Sequence, residues 1–233
     1  MRSTSLLVAI FTLFFHSLTI GQEKSDNSSV GSFGVQAGAN FSMVEGTPWK
    51  PKFNPGAFGG VYKSFRRGNN GFRIELNVAQ GHFTTMHPAS YVPGIKKVYT
   101  DPTFDTVQPG DFNTLYVRIP LLGEFRVYKT LYFLLGPEYS MLMSIKDNNG
   151  AFTTDYATNG GAGNIFKTGC LMGDVGFHVV LKQRIIFGTR LSVGLGSINK
   201  QASSPANNNF RDYGGWKLWS SETYLGFNLS GNE

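Results

Sequence analysis

Phe72-Arg73-Ile74-Glu75-Leu76-Asn77-Val78-Ala79 alternates for its whole length, with an apolar side chain at every even position and a polar or small one at every odd position. Successive side chains leave a β-strand on opposite faces, so a period of two puts Phe72, Ile74, Leu76 and Val78 on one face and Arg73, Glu75 and Asn77 on the other. The pattern recurs along the chain. Leu115, Val117, Ile119, Leu121 and Phe125 oppose Arg118, Glu124 and Arg126; Leu171, Val175, Phe177 and Val179 oppose Asp174 and His178. Phe187, Leu191, Val193 and Leu195 oppose Arg190, and Trp219, Leu225, Phe227 and Leu229 oppose Glu222. Composition agrees with an all-β chain: 29 glycines disfavour helices, 20 phenylalanines favour strands, and only 15% of residues are charged.

Eight segments carry this strand chemistry: Ser32–Val44, Asn54–Phe65, Gly71–Thr84, Phe112–Val127, Leu131–Lys146, Gly169–Leu181, Ile185–Ile198 and Lys217–Leu229. The second is too rich in glycine for its faces to be assigned. Each is long enough to cross a bilayer on a tilt. The connections are of two kinds. Arg66–Asn70, Tyr128–Thr130 and Lys182–Arg184 are short and basic, whereas Thr85–Asp111, Asp147–Thr168 and Asn199–Trp216 are long, and Glu45–Phe53 is of moderate length. Short turns on one rim and long loops on the other, with both termini on the short-turn side, define an up-and-down antiparallel transmembrane β-barrel of roughly eight strands.

Alternation alone does not say which face points inward, because a soluble barrel would bury the apolar face. The kind of charge decides. Lysines fall in connections (Lys50, Lys52, Lys96, Lys97, Lys167, Lys200) or near strand ends and turns (Lys63, Lys129, Lys146, Lys182, Lys217), while the polar faces carry arginine, carboxylates and small residues. A water-facing sheet would scatter lysine mid-strand, whereas a narrow polar interior uses paired arginines and acids. The expected lumen charge network is Arg73, Glu75, Arg118, Glu124, Arg126, Glu138, Asp174, Arg190 and Glu222. Counting back from the tight turn at Lys129 sets Arg118 across from Ser140 and diagonal to Glu138, within reach of a long side chain.

The first 21 residues read as a signal peptide, with Arg2 before an apolar stretch from Leu6 to Ile20 and small residues at Thr19 and Gly21; residues 22–31 read as a flexible leader and 32–233 as one barrel domain. The single cysteine, Cys170, rules out an internal disulfide. The net charge of +6 comes without the basic stripe that a nucleic-acid face needs. No catalytic, metal or cofactor motif is visible: His82, His87 and His178 lack ligand spacing. A lipid hydrolase built around His82 with Thr84 or Thr85 at the outer rim is a remote alternative. The basic turns face the side where anionic headgroups would lie, Phe33, Tyr62, Phe65, Tyr128, Tyr132, Trp216 and Trp219 suit interfacial girdles, and the long loops are where a protein or glycan partner would bind.

Several stretches resemble the PorT-like outer-membrane β-barrel family of Bacteroidetes: Gly34-Val35-Gln36-Ala37-Gly38-Ala39-Asn40, Pro55-Gly56-Ala57-Phe58-Gly59-Gly60, Glu75-Leu76 with Gln80-Gly81, Leu115 to Leu122, Gly136-Pro137-Glu138-Tyr139 and Asp174-Val175-Gly176. At Arg118 the relatives more often carry a carboxylate or other polar residue. The resemblance implies an outer-membrane barrel with a structural or partner-binding role, or an accessory role in protein secretion or surface assembly. It carries over no catalytic or cofactor residue.

Overall fold

A computed structural model of the chain describes residues 30–46, 50–88, 109–148, 166–182, 184–198 and 215–229. Eight strands form one closed antiparallel barrel in sequence order: β1 (Val30–Glu45), β2 (Asn54–Arg67), β3 (Asn70–Pro88), β4 (Pro109–Tyr128), β5 (Leu131–Asp147), β6 (Gly169–Leu181), β7 (Ile185–Gly194) and β8 (Lys217–Asn228). The last strand closes on the first, from Gly34↔Asn228 to Glu45↔Lys217, so neither edge is left unpaired. β1 starts at Val30 and takes in the end of the expected leader, β7 stops at Gly194, short of Ile198, and β3 and β4 run further into the loop between them. The signal peptide, most of the leader and most of the Thr85–Asp111, Asp147–Thr168 and Asn199–Trp216 connections lie outside the described residues.

The burial pattern is that of a barrel turned inside out. Arg73, Arg118 and Arg190 are at most 1% exposed, while Leu76, Phe187 and Leu225 are 50%, 50% and 61% exposed. Among the described residues, 27 large apolar or aromatic side chains are exposed, all but Phe53, Leu195 and Leu229 within the strands. In water such a continuous surface would drive aggregation. Lys63 is the lysine furthest inside a strand, and it points outward with its ammonium 5.4 Å from the Phe65 ring centroid.

The interior is layered. At the long-connection end an apolar cluster includes Phe83, Phe112, Tyr116, Met172 and Trp216; a belt of charge follows; and Tyr62, Tyr132, Ile186 and Tyr224 belong to a second cluster on the short-turn side. Tyr62, Tyr132 and Trp216 are therefore core residues rather than the girdle residues expected from their position near strand ends, whereas Phe33, Phe65 and Tyr128 do face outward. Alternation weakens at strand ends, so a terminal aromatic gives no parity of its own. Gly34 lies opposite Tyr62 and Gly188 opposite Tyr224, and a Cβ at either glycine would run into the tyrosine ring.

Two irregularities shape the long-connection end. The β4–β5 ladder slips between Leu115 and Tyr116, which face Ser144 and Leu142, leaving Met143 as an extra bulged residue. Inward parity consequently passes from Ser140 and Leu142 to Ile145, and Ser144 and Lys146 turn out. The β2–β3 ladder, for its part, stops at Phe58↔Ala79, although both strands continue.

Candidate functional site

The charged belt is assembled by strand parity. β3 contributes Arg73, Glu75 and Asn77; β4 contributes Arg118 and Glu124; β5, β6, β7 and β8 contribute Glu138, Asp174, Arg190 and Glu222. All of these side chains are buried. Arg118 lies across from Ser140 and its Nε is 3.3 Å from Glu138 Oε1. Its Nη1 also donates to Glu222 Oε1 at 2.5 Å, a partner on the opposite wall, four strands away around the barrel, that a hairpin count does not reveal. Arg190 sits directly opposite Glu222 and is the hub: Nη2 donates to Glu222 Oε2 at 2.5 Å, Nη1 to Glu75 Oε2 at 2.9 Å, and Nε lies 3.6 Å from Asp174 Oδ2.

A second group continues toward the short turns. Arg73 Nε donates to Glu75 Oε1 at 2.6 Å and its guanidinium lies 3.7 Å from the Tyr62 ring centroid. Gln36 reaches across the glycines of β2: its Nε2 donates to Glu75 Oε2 at 2.7 Å and Asn77 Oδ1 at 2.9 Å, while its Oε1 accepts from Arg73 Nη2 at 2.6 Å. Gly60 makes this crossing possible, since a Cβ there would collide with Asn77. Glu124 is held by Arg66 Nε at 2.9 Å, by the Ser64 hydroxyl, and more loosely by Arg73 and His178 at 3.8 and 3.6 Å.

Eight of the nine expected network residues meet in this belt. Arg126 does not: it is exposed at the rim, where its Nε donates to Tyr132 Oη at 3.3 Å. By parity it belongs with Glu124, but β4 has by then run past the belt, and its ladder with β5 slips between Arg126 and Tyr128. Arg66 takes the place expected of Arg126. The turn reading set it among headgroup-facing residues, yet Tyr62, Ser64 and Arg66 alternate against Val61, Lys63 and Phe65, which is the signal that marks its inward face. Gln36, with Asn40 and Ser42, alternates likewise on β1.

Four arginines, Arg66, Arg73, Arg118 and Arg190, thus face five carboxylates. Such a network cross-links the barrel from within, and among the described residues no group of three or more His, Cys, Asp or Glu side chains could hold a metal ion. Outside the belt, His82 Nε2 contacts Asp111 Oδ1 on the outer wall. His87 lies in a part of β3 whose side chains are not described.

No family model matches the chain, and no curated protein matches it. Among solved structures the fold is similar to Neisserial surface protein A, with 11% identity over 86% of this chain and 99% of that one, at a TM-score of 0.48. It is also similar to outer membrane protein W of Escherichia coli (14% identity, 86% and 98% coverage, TM-score 0.45) and to Ail, the attachment invasion locus protein of Yersinia pestis (10% identity, 85% and 99% coverage, TM-score 0.42).

Proposed function

We propose that this chain is an outer-membrane barrel with a lumen closed by its own side chains, which holds its long connections at the cell surface for a structural or partner-binding role. The observation that carries the reading is the division of side chains in mid-strand: apolar residues cover the outer wall while arginines and carboxylates pair inside. A bilayer accepts such a wall because a closed barrel satisfies its backbone groups internally. Three layers of interior side chains in a barrel of only eight strands support the reading of a closed lumen. The PorT-like motifs between Gly34 and Gly176 support membership of that family, and with it an accessory role in secretion or surface assembly as a second reading.

Fractionation and electrical recording test the first reading together. The protein is expected in outer membranes, with different gel mobility before and after boiling, and pure protein in planar bilayers is expected to give no stable conductance. Recovery as a soluble periplasmic protein would refute the membrane assignment, and reproducible open-channel currents would refute the closed lumen. Comparing surface proteomes with and without the gene separates the two roles.

A further inference from the structure

On the outer wall at the long-connection end, three cross-strand rows follow one another up β3, β4 and β5. Val78, Val117 and Met141 form an apolar row; Gln80, Leu115 and Ser144 form the next; His82, Asn113 and Lys146 form the third. The third row exists because the bulge at Met143 turns Lys146 outward; without it Lys146 would point into the lumen with Leu142. The second and third rows line a cleft of about 320 Å³ that extends to Pro55 and Gly56 on β2.

The floor of this cleft is the stretch where β2 and β3 are not laddered. Interior side chains hold the β3 backbone there instead: Asn40 Nδ2 donates to Gln80 O at 2.5 Å, Asn54 Nδ2 donates to His82 O at 3.0 Å, and Ser42 Oγ accepts from His82 N at 3.1 Å. Lys50 N donates to Thr84 O at 2.8 Å, which ties the segment before β2 to β3 above His82. The nearby Asp111 is engaged by His82 and by Asn148 Nδ2. Going up the wall, the chemistry therefore runs from apolar, through amide and hydroxyl, to cationic.

We propose that this cleft binds the phosphorylated saccharide headgroup of an outer-leaflet glycolipid. Such a molecule presents the same order of chemistry: acyl chains against Val78, Val117 and Met141, sugar hydroxyl and amide groups against Gln80, Asn113 and Ser144, and a phosphate against Lys146. A lysine recognises phosphate as a point charge, and the planar amides hydrogen-bond neighbouring sugar groups. The proposal rests on the orientation given above, with the long connections outward.

Protein folded in neutral-detergent micelles is titrated with a diphosphorylated diglucosamine glycolipid, with its dephosphorylated form and with phosphatidylglycerol, and bound lipid is counted by native mass spectrometry. The diphosphorylated form is expected to bind best. Lys146→Glu should weaken it by about tenfold, the scale of one charge-assisted hydrogen bond, and Asn113→Ala should weaken it to a smaller degree. Lys217→Glu, on β8 away from the cleft, should bind like the parent. Equal binding of the three lipids, or parent-like binding by both Lys146→Glu and Asn113→Ala, overturns the proposal. Gel mobility and vesicle insertion are recorded on the same preparations. A parent protein that fails to insert refutes the barrel reading, whereas one that inserts and does not discriminate the lipids refutes only the cleft.

Discussion

Replacing Arg118 with methionine removes a cation from two carboxylates at once. Arg118 touches Glu138 at 3.3 Å and Glu222 at 2.5 Å, all three side chains being at most 1% exposed. Glu222 would keep Arg190, but among the described residues Arg118 is the only cation paired with Glu138. Stripping one partner from a buried ion pair costs about 3–5 kcal/mol, because the remaining charge stays desolvated. At roughly 2–4 °C per kcal/mol for a chain of this size, the temperature of the gel mobility shift should fall by about 10 °C. Glu138→Gln is the informative partner: it keeps the shape, leaves Arg118 its bond to Glu222, and relieves the excess of acids, so it should cost about 1 kcal/mol or less. The double exchange Arg118→Glu with Glu138→Arg, which a simple pair would tolerate, should recover little, because a glutamate at position 118 would meet Glu222. Gel-shift melting curves of the parent and these three variants decide the matter. Equal losses in the two single variants, or full recovery in the exchange, would refute the reasoning that Glu222 shares Arg118.

Arg66→Gln should destabilise by about 2 kcal/mol through loss of a charged hydrogen bond to Glu124, while Arg126→Gln should stay within about 0.5 kcal/mol; urea titration of folded protein in vesicles measures both. Gly188→Val should destabilise the barrel by about 1–3 kcal/mol, seen as a lower gel-shift temperature, because the new side chain displaces Tyr224, and Gly196→Ala, with open space around it, should not. Cysteine introduced at Lys146 should react with a membrane-impermeant maleimide on intact cells, cysteine at Lys129 only after the cells are opened, and buried Cys170 should give no background; the reverse pattern would invert the barrel.

Strand number, order and most boundaries were legible because each strand repeats one two-residue rule, and three tight turns fix neighbouring registers. The Arg118, Ser140 and Glu138 arrangement follows from counting alone. What counting misses lies where the rule is interrupted or where strands meet only across the lumen. Glycines hid the parity of β2 and with it Arg66. A one-residue slip beside Tyr116 reverses the face of Ser144 and Lys146, and no local residue type marks it. Glu222 reaches Arg118 from a strand 104 residues away, a proximity that exists only once the barrel has closed.

That closure also makes the last strand an internal test of completeness. Asn40 on β1 accepts from the Ser220 hydroxyl over a separation of 180 residues, and Glu222 answers two arginines that belong to β4 and β7. A chain that has not yet delivered β8 holds both arginines without their shared acid and leaves β1 and β7 with open edges. Contacts so distant in sequence form late and slowly. Taking such an intermediate into lipid would carry two open sheet edges and arginines short of an acid into hydrocarbon, a cost that the closed barrel does not meet.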